Sequence, residues 1–65
     1  MNWTDFEKLE FKIGDSLWVL DEKGEGHWGI YKGQYNQSDR TFLFTNSGNG
    51  KDETVSIDKM QRITK

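Results

Sequence analysis

Few residues in this chain of 65 can carry out chemistry. It contains one histidine, His27, and no cysteine. A histidine can act as a general base near neutral pH, but it needs a partner that orients its ring. No catalytic partner stands at a recognisable spacing from His27, and without cysteine thiol chemistry is excluded. We therefore interpret His27 as a polar residue at the start of a strand and predict that the protein is not an enzyme.

Metal and phosphate sites are not indicated by the sequence. Transition-metal sites use several His, Cys or carboxylate ligands at fixed spacing, and no such set stands out. The oxygen-rich stretch over residues 46–53 lacks the spacing of a calcium loop. Residues 48–51, GNGK, lack the Gly-Lys-Ser/Thr ending of a phosphate loop. We predict no metal and no cofactor, and a solvated, flexible loop over residues 46–52.

Binding is the function that the remaining residues favour. Residues 27–44, HWGIYKGQYNQSDRTFLF, combine aromatic with basic side chains. On a strand, Ile30 and Lys32 share one face and Tyr31 and Tyr35 the other. If Ile30 points into the core, the tyrosines lie exposed near basic residues, where they could stack on single-stranded nucleic acid or line a peptide groove. The predicted ligand-binding residues are Tyr31, Tyr35, Lys32, Arg40, Trp18 and Trp28.

The same rings also have a purely structural interpretation. They could pack inside a hairpin or beneath a helix, as large rings do in the core of a small domain. Gly29 and Gly33 would let a neighbouring ring lie over bare backbone. Trp18 and Trp28 fit the core as well as they fit the surface. Scaffold and binding surface therefore stay open as alternatives for this stretch.

A short helix is predicted near the N-terminus, over about residues 4–10. Thr4 and Glu7 have the spacing of a capping box, in which each side chain bonds the backbone beside the other residue. Trp3 stands immediately before the cap, where a hydrophobic staple belongs. Phe6 and Leu9 would then face the rest of the protein.

Five short strands are predicted after this helix. Apolar runs separated by turns rich in Gly, Asn, Ser and Asp place them at residues 16–21, 27–35, 40–45, 53–57 and 61–64. The continuous run LWVL predicts burial on both faces of the first strand. Residues 58–60, DKM, predict a single tight helical turn before the last strand. The fold class is mainly β, with one domain over residues 1–65.

This layout resembles the SH3-like small β-barrels, and the leading helix resembles their Sm-like variety. The glycine, apolar, aspartate and apolar positions of the first Sm motif correspond to Gly33, Tyr35, Asp39 and Phe42. The resemblance implies a helix followed by a five-stranded, strongly bent barrel, a turn held by Asp39 and a core-facing Phe42. Leu43 stands where Sm proteins carry a base-contacting asparagine, and the Arg-Gly of the second Sm motif is absent. The uridine-binding role is therefore not implied.

Charge and composition limit the kinds of partner and of cellular location that are expected. The net charge is −2, with seven acidic and three basic residues over 1–26, and four acidic and six basic residues over 27–65. Neither half has the charge density of a typical nucleic-acid binder. No apolar run reaches membrane-spanning length, and the charged first ten residues do not resemble a signal peptide. The lack of cysteine suits the cytoplasm.

The leading prediction is a non-enzymatic binding module for a protein or peptide partner. The first alternative is binding of single-stranded RNA or DNA by an Sm-like barrel. The second is a structural subunit of a homo-oligomer, in which residues 40–45 and 53–57 would form strand edges that pair with a second copy. By analogy with other stand-alone barrels, we expect a complete small protein of bacterial or phage origin.

Overall fold

The computed structural model describes residues 6–65. Half of these residues lie in the strands of one antiparallel sheet. The strands are β1 (Ser16–Leu20), β2 (Gly26–Asn36), β3 (Thr41–Asn46), β4 (Asp52–Ser56) and β5 (Arg62–Thr64). Their order in the sheet is β4-β3-β2-β1-β5. A 3-10 turn (Ile57–Lys59) joins β4 to β5. The mainly β prediction is confirmed, and each strand lies within one residue of its predicted bounds.

One face of the sheet is closed over a single hydrophobic core. Alternate residues of each strand point to this inner face, as the period of two requires. All five strands contribute, and Phe6 and the 3-10 turn add a residue each. The buried apolar residues are Phe6, Leu17, Val19, Tyr31, Phe42, Phe44, Val55, Ile57 and Ile63. Because edge strands β4 and β5 both reach the same core, the sheet is strongly curved.

The curvature is concentrated in the long strand β2. Its pairing with β3 shifts register between Tyr31 and Gly33, and again between Gly33 and Asn36. Gly33 and Gln34 both have positive φ, at 84° and 52°. Such bulges bend a strand and increase its twist. β2 is therefore bent at Gly33, and the bend changes the direction of the end of the strand.

Gly29 has a different structural role, which follows from close packing rather than backbone conformation. It is buried on the inner face, where the ring of Phe44 lies against its backbone. An added Cβ would lie 2.5 Å from Cζ of Phe44 and closer still to the carbonyl oxygen of Thr45. The predicted use of Gly29, to let a ring lie over bare backbone, is confirmed.

The predicted helix over residues 4–10 is wrong. Trp3 and Thr4, on which its cap rested, lie outside the described residues. From Phe6 onward the chain makes only one helical turn, closed by N–H bonds from Leu9 to the Phe6 carbonyl (3.1 Å) and from Glu10 to Glu7 (3.2 Å). Glu10 then takes a positive φ of 51°, which ends the turn. Tertiary packing of Phe6 on the core holds this turn, and a capping pattern alone did not predict its length.

The sheet order also corrects the predicted edges. β3 is paired on both sides, with β2 and β4, so residues 40–45 do not form an edge available to a second copy. Among the described strands the edges are β4 and β5. Within residues 6–65, no helix has the length and apolar character that crossing a lipid bilayer requires.

Candidate functional site

The outer face of the sheet carries two tryptophans side by side. Trp18 of β1 and Trp28 of β2 are directly paired in the antiparallel register. Their ring centroids are 6.5 Å apart, with an interplanar angle of 52°. Tilted ring pairs at this distance are favourable contacts. The two residues whose location was left open by the sequence are therefore both outside the core.

The ring of Trp18 lies over a glycine of the neighbouring strand β2. An added Cβ on Gly26 would be 2.6 Å from Cζ2 of Trp18 and 2.7 Å from its Nε1. The indole therefore covers the Gly26 backbone, and Trp18 is only half exposed. Trp28 has no such cover in the described residues and keeps 60% of its surface exposed. One ring is thus seated, and its neighbour is available for contact.

Two aliphatic residues extend the apolar surface from this pair. Leu20 follows Trp18 by two residues on β1, and Ile30 follows Trp28 by two residues on β2, so both point to the outer face. Both are half-buried. We call these four residues, Trp18, Leu20, Trp28 and Ile30, the tryptophan face. Contiguous apolar surface of this kind is typical of an interaction site.

Basic residues stand at both ends of the tryptophan face. Lys32 follows Ile30 by two residues and is exposed. Arg62 of β5 is paired with Leu20 and is also exposed. Among the described residues neither side chain has an ion-pair partner within 4.0 Å. Asp52 of β4 lies beside the tryptophan face, across from Thr45 of β3. Its carboxylate accepts a hydrogen bond from the Thr45 hydroxyl at 2.6 Å.

The tyrosine surface expected around Tyr31 is not assembled. Tyr31 is 7% exposed and points into the core, where its ring lies 5.5 Å from the rings of Phe11 and Phe42. Ile30 points outward, the reverse of the orientation that would have exposed the tyrosines. Lys32 is consequently on the opposite side of the sheet from Tyr31.

Tyr35 and Arg40 lie near the far end of β2 and serve local packing and pairing. The ring of Tyr35 is half-buried, 5.3 Å from that of Phe6, and burial is the main cause that raises the pKa of Tyr35. Arg40 donates from Nη1 to Oδ1 of Asp58 at 3.2 Å. Its carbonyl oxygen accepts the N–H of Ile57. These contacts tie the β2–β3 turn to the 3-10 turn.

The burial of Tyr31 predicts an alkaline limit to stability. Burial raises the pKa of its phenol above 10.0, so the folded state binds the proton more tightly than the unfolded state. The contribution of this proton to the free energy of unfolding is complete below the pKa of Tyr31 in the unfolded state. It is lost as the pH rises through the pKa of Tyr31 in the folded state. We expect the urea midpoint to fall above about pH 10. Tyr31→Phe should reduce this fall more than Tyr35→Phe does, because the Tyr31 ring is buried whereas that of Tyr35 is only half-buried. Identical alkaline profiles for wild type and Tyr31→Phe would contradict this assignment.

His27 has a partner that sequence reasoning missed. Its Nε2 lies 3.1 Å from Oδ2 of Asp21. The other oxygen, Oδ1, accepts backbone N–H groups of Lys23 and Glu25, each at 2.9 Å. The Glu25 N–H is the main cause that lowers the pKa of Asp21, and His27 adds to it. The hairpin could have predicted this contact, because a short turn brings together an aspartate just before it and a histidine just after it.

Residues 46–52, for which a solvated, flexible loop was predicted, contain a hydrogen-bonded turn. The N–H of Asn46 bonds the carbonyl of Lys51 at 2.9 Å, and that of Gly50 bonds the carbonyl of Asn46 at 2.7 Å. The Asn46 side chain is buried; its amide donates to Glu53, and its oxygen accepts the N–H of Gly48. Asn46 thus serves the turn that connects β3 to β4.

Chemically, the tryptophan face is suited to contact rather than catalysis. Two indoles and two aliphatic side chains offer apolar area, and the indole N–H groups offer hydrogen-bond donors. The face is open rather than enclosed, which fits an extended ligand better than a small molecule held in a pocket. No protein-family model, no curated protein and no solved structure matches this chain.

Proposed function

We propose that the protein is a non-enzymatic binding module that holds an extended segment of a protein partner on the tryptophan face. The observation that carries this proposal is the exposed Trp28 beside the half-exposed Trp18. Leaving a large ring in water forgoes the free energy of its burial, and tryptophan is among the residues most enriched at binding hot spots. A partner that covers Trp28 recovers that free energy.

We also propose that the fold is an SH3-like barrel. The strand order β4-β3-β2-β1-β5 and the 3-10 turn before the last strand support this proposal. The Sm-like variety rested on the leading helix and on the match of Gly33, Tyr35, Asp39 and Phe42 to the first Sm motif. Because the helix is only one turn long, this variety is not part of the proposal. The cysteine-free sequence supports a location in the cytoplasm.

The charges around the face define the chemistry of the partner. Lys32 and Arg62 flank the four apolar residues at opposite ends and lack ion-pair partners among the described residues. A segment with a central aromatic or aliphatic side chain and acidic residues on both sides would match this pattern. Acidic flanks also make association faster at low salt, whereas the apolar centre supplies most of the affinity.

The test is selection of peptides from a random library on the wild-type protein, followed by affinity measurement on its variants. We expect Trp28→Ala to weaken binding of the selected peptides by about 30-fold, which corresponds to the loss of about 2 kcal/mol typical of a hot spot. The matched control is Ile13→Ala. Ile13 is a still more exposed apolar residue, at 75%, and it lies against Gly33 rather than in the tryptophan face.

Two outcomes would contradict the proposal. The first is equal affinity of wild type and Trp28→Ala for the selected peptides, with circular dichroism confirming that both are folded. The second is preferential binding of short single-stranded RNA or DNA. Such binding would weaken steeply as salt rises, because phosphate contacts release counterions. Peptide binding centred on apolar contacts should change little over the same range.

A further inference from the structure

The turn between β1 and β2 brings an imidazole and two carboxylates together, apart from the tryptophan face. Asp21, Glu25 and His27 each present one potential ligand atom, and these atoms all lie within 4.8 Å of one another. Asp21 and His27 are half-buried, and Glu25 is exposed. All three residues lie within the seven-residue stretch 21–27, so the hairpin alone sets their arrangement.

Backbone contacts hold this arrangement in place. The N–H of Asp21 bonds the carbonyl of Glu25 at 2.9 Å, and the N–H of Gly24 bonds the carbonyl of Asp21 at 3.1 Å. Two further N–H groups fix Oδ1 of the Asp21 carboxylate. Oδ2 is thereby directed at Nε2 of His27. A site whose ligands are already oriented loses less freedom when an ion binds.

Asp21 and His27 of the hairpin also line a cavity of mixed polarity. This cavity, of about 150 Å³, is lined by Asp21 and His27, by the polar side chains of Asn46 and Glu53, and by apolar residues that include Val19 and Phe44. It therefore has room for water beside the cluster, as an incompletely protein-ligated ion requires. The Glu53 carboxylate, which accepts the Asn46 amide, adds negative charge to its wall.

We propose that Asp21, Glu25 and His27 form a binding site for a divalent transition-metal ion, with Zn²⁺ the best match. Zinc accepts nitrogen and carboxylate ligands at about 2.0–2.2 Å, which places the ligands of a tetrahedral ion about 3.3 Å apart. In the structure the three potential ligand atoms lie within 4.8 Å of one another, so they must approach one another when the ion binds. The imidazole disfavours Mg²⁺ and Ca²⁺, which prefer oxygen ligands alone. Water from the cavity would complete the coordination.

The experiment is a calorimetric titration of the full chain with Zn²⁺ alone at neutral pH, after removal of metals with a chelator. We expect one ion per chain and a higher melting temperature in its presence, since an ion that binds only the folded state stabilises it. His27→Ala and Glu25→Gln should each weaken binding by at least about tenfold, because loss of an outer-shell partner of a ligand alone costs that much. Mg²⁺ at the same concentration should not bind.

The matched control is Glu22→Gln, which removes the same charge from the same turn at a residue outside the cluster. It should leave the affinity for Zn²⁺ unchanged. A second readout needs no variant: the ring proton resonances of His27 should shift or broaden during the titration of the wild type. Absence of saturable binding, unchanged affinity in His27→Ala, or an unresponsive His27 ring would each overturn the proposal.

Discussion

Gly29→Ala is expected to abolish stable folding. The new methyl group would overlap the Phe44 ring and the Thr45 carbonyl oxygen at the centre of the β2–β3 pairing. Neither neighbour can withdraw easily, because Phe44 is fully packed in the core and Thr45 is paired with Ile30. Overpacking of a core commonly costs about 1–3 kcal/mol, and a clash with backbone places this variant at or above the upper end.

That cost is large compared with the total stability of so small a chain, which is about 3–5 kcal/mol. Urea denaturation followed by circular dichroism should show no cooperative transition, or one shifted to low urea. Gly48→Ala is the control, since its Cβ would meet only Oδ1 of Asn46, at 3.1 Å, and its φ is not positive. A wild-type urea midpoint for Gly29→Ala would mean that the Phe44 ring does not lie on the Gly29 backbone.

Phe42→Ala is the second variant expected to unfold the protein. Phe42 has no exposed surface, and its ring contacts those of Phe6 and Tyr31, with centroids 5.1 Å and 5.5 Å away. Truncation of a buried phenylalanine costs about 3–5 kcal/mol, because apolar burial is lost and a cavity remains. This range equals the expected total stability. Near-ultraviolet circular dichroism should therefore lose its aromatic bands at room temperature.

A graded comparison separates this effect from a general sensitivity to loss of rings. Phe11 is half-buried and packs on Tyr31 at 5.5 Å, at the edge of the same core. Phe11→Ala should retain a cooperative transition at a lower urea concentration. If Phe42→Ala were as stable as Phe11→Ala, the central position of Phe42 in the core would be refuted.

Period-two alternation made the strands predictable from the sequence. The run TFLFTN shows why, because its alternate residues Phe42 and Phe44 point inward, and Asn46 continues the same face. The turn residues added the boundaries, and the DKM segment gave the 3-10 turn near its observed position, Ile57–Lys59. Local rules succeed at these places because side-chain period and turn chemistry agree with the tertiary fold.

Which face of β2 lies inside was not predictable from local pattern. Both faces of this strand carry large apolar residues, so inversion of the strand exchanges Tyr31 for Ile30 without breaking the alternation. Gly29 decides the orientation, since only a glycine fits beneath Phe44. That contact joins two strands, and its selectivity cannot be seen in either strand alone.

Because β2 has the orientation opposite to the one that would expose the tyrosines, the candidate binding residues are the tryptophans instead. Once Tyr31 is inside, Trp28 and Lys32 are outside, and Trp18 is brought beside Trp28 by the β1–β2 register. The continuous run LWVL had suggested burial on both faces of β1. In the structure Leu17 and Val19 are buried, whereas the other face is only half-buried. The apolar surplus on that face is the feature that a binding partner would explain.

The central claim is that the tryptophan face is a binding surface, and an amide-resolved NMR titration with a selected peptide tests it most directly. The indole N–H resonances of Trp18 and Trp28 report from the middle of the face. We predict saturable shifts at both indoles and at the backbone amide of Ile30, with little change at Tyr35 or Arg40. Shifts concentrated at Tyr35 and Arg40, with the two indoles unaffected, would contradict the account.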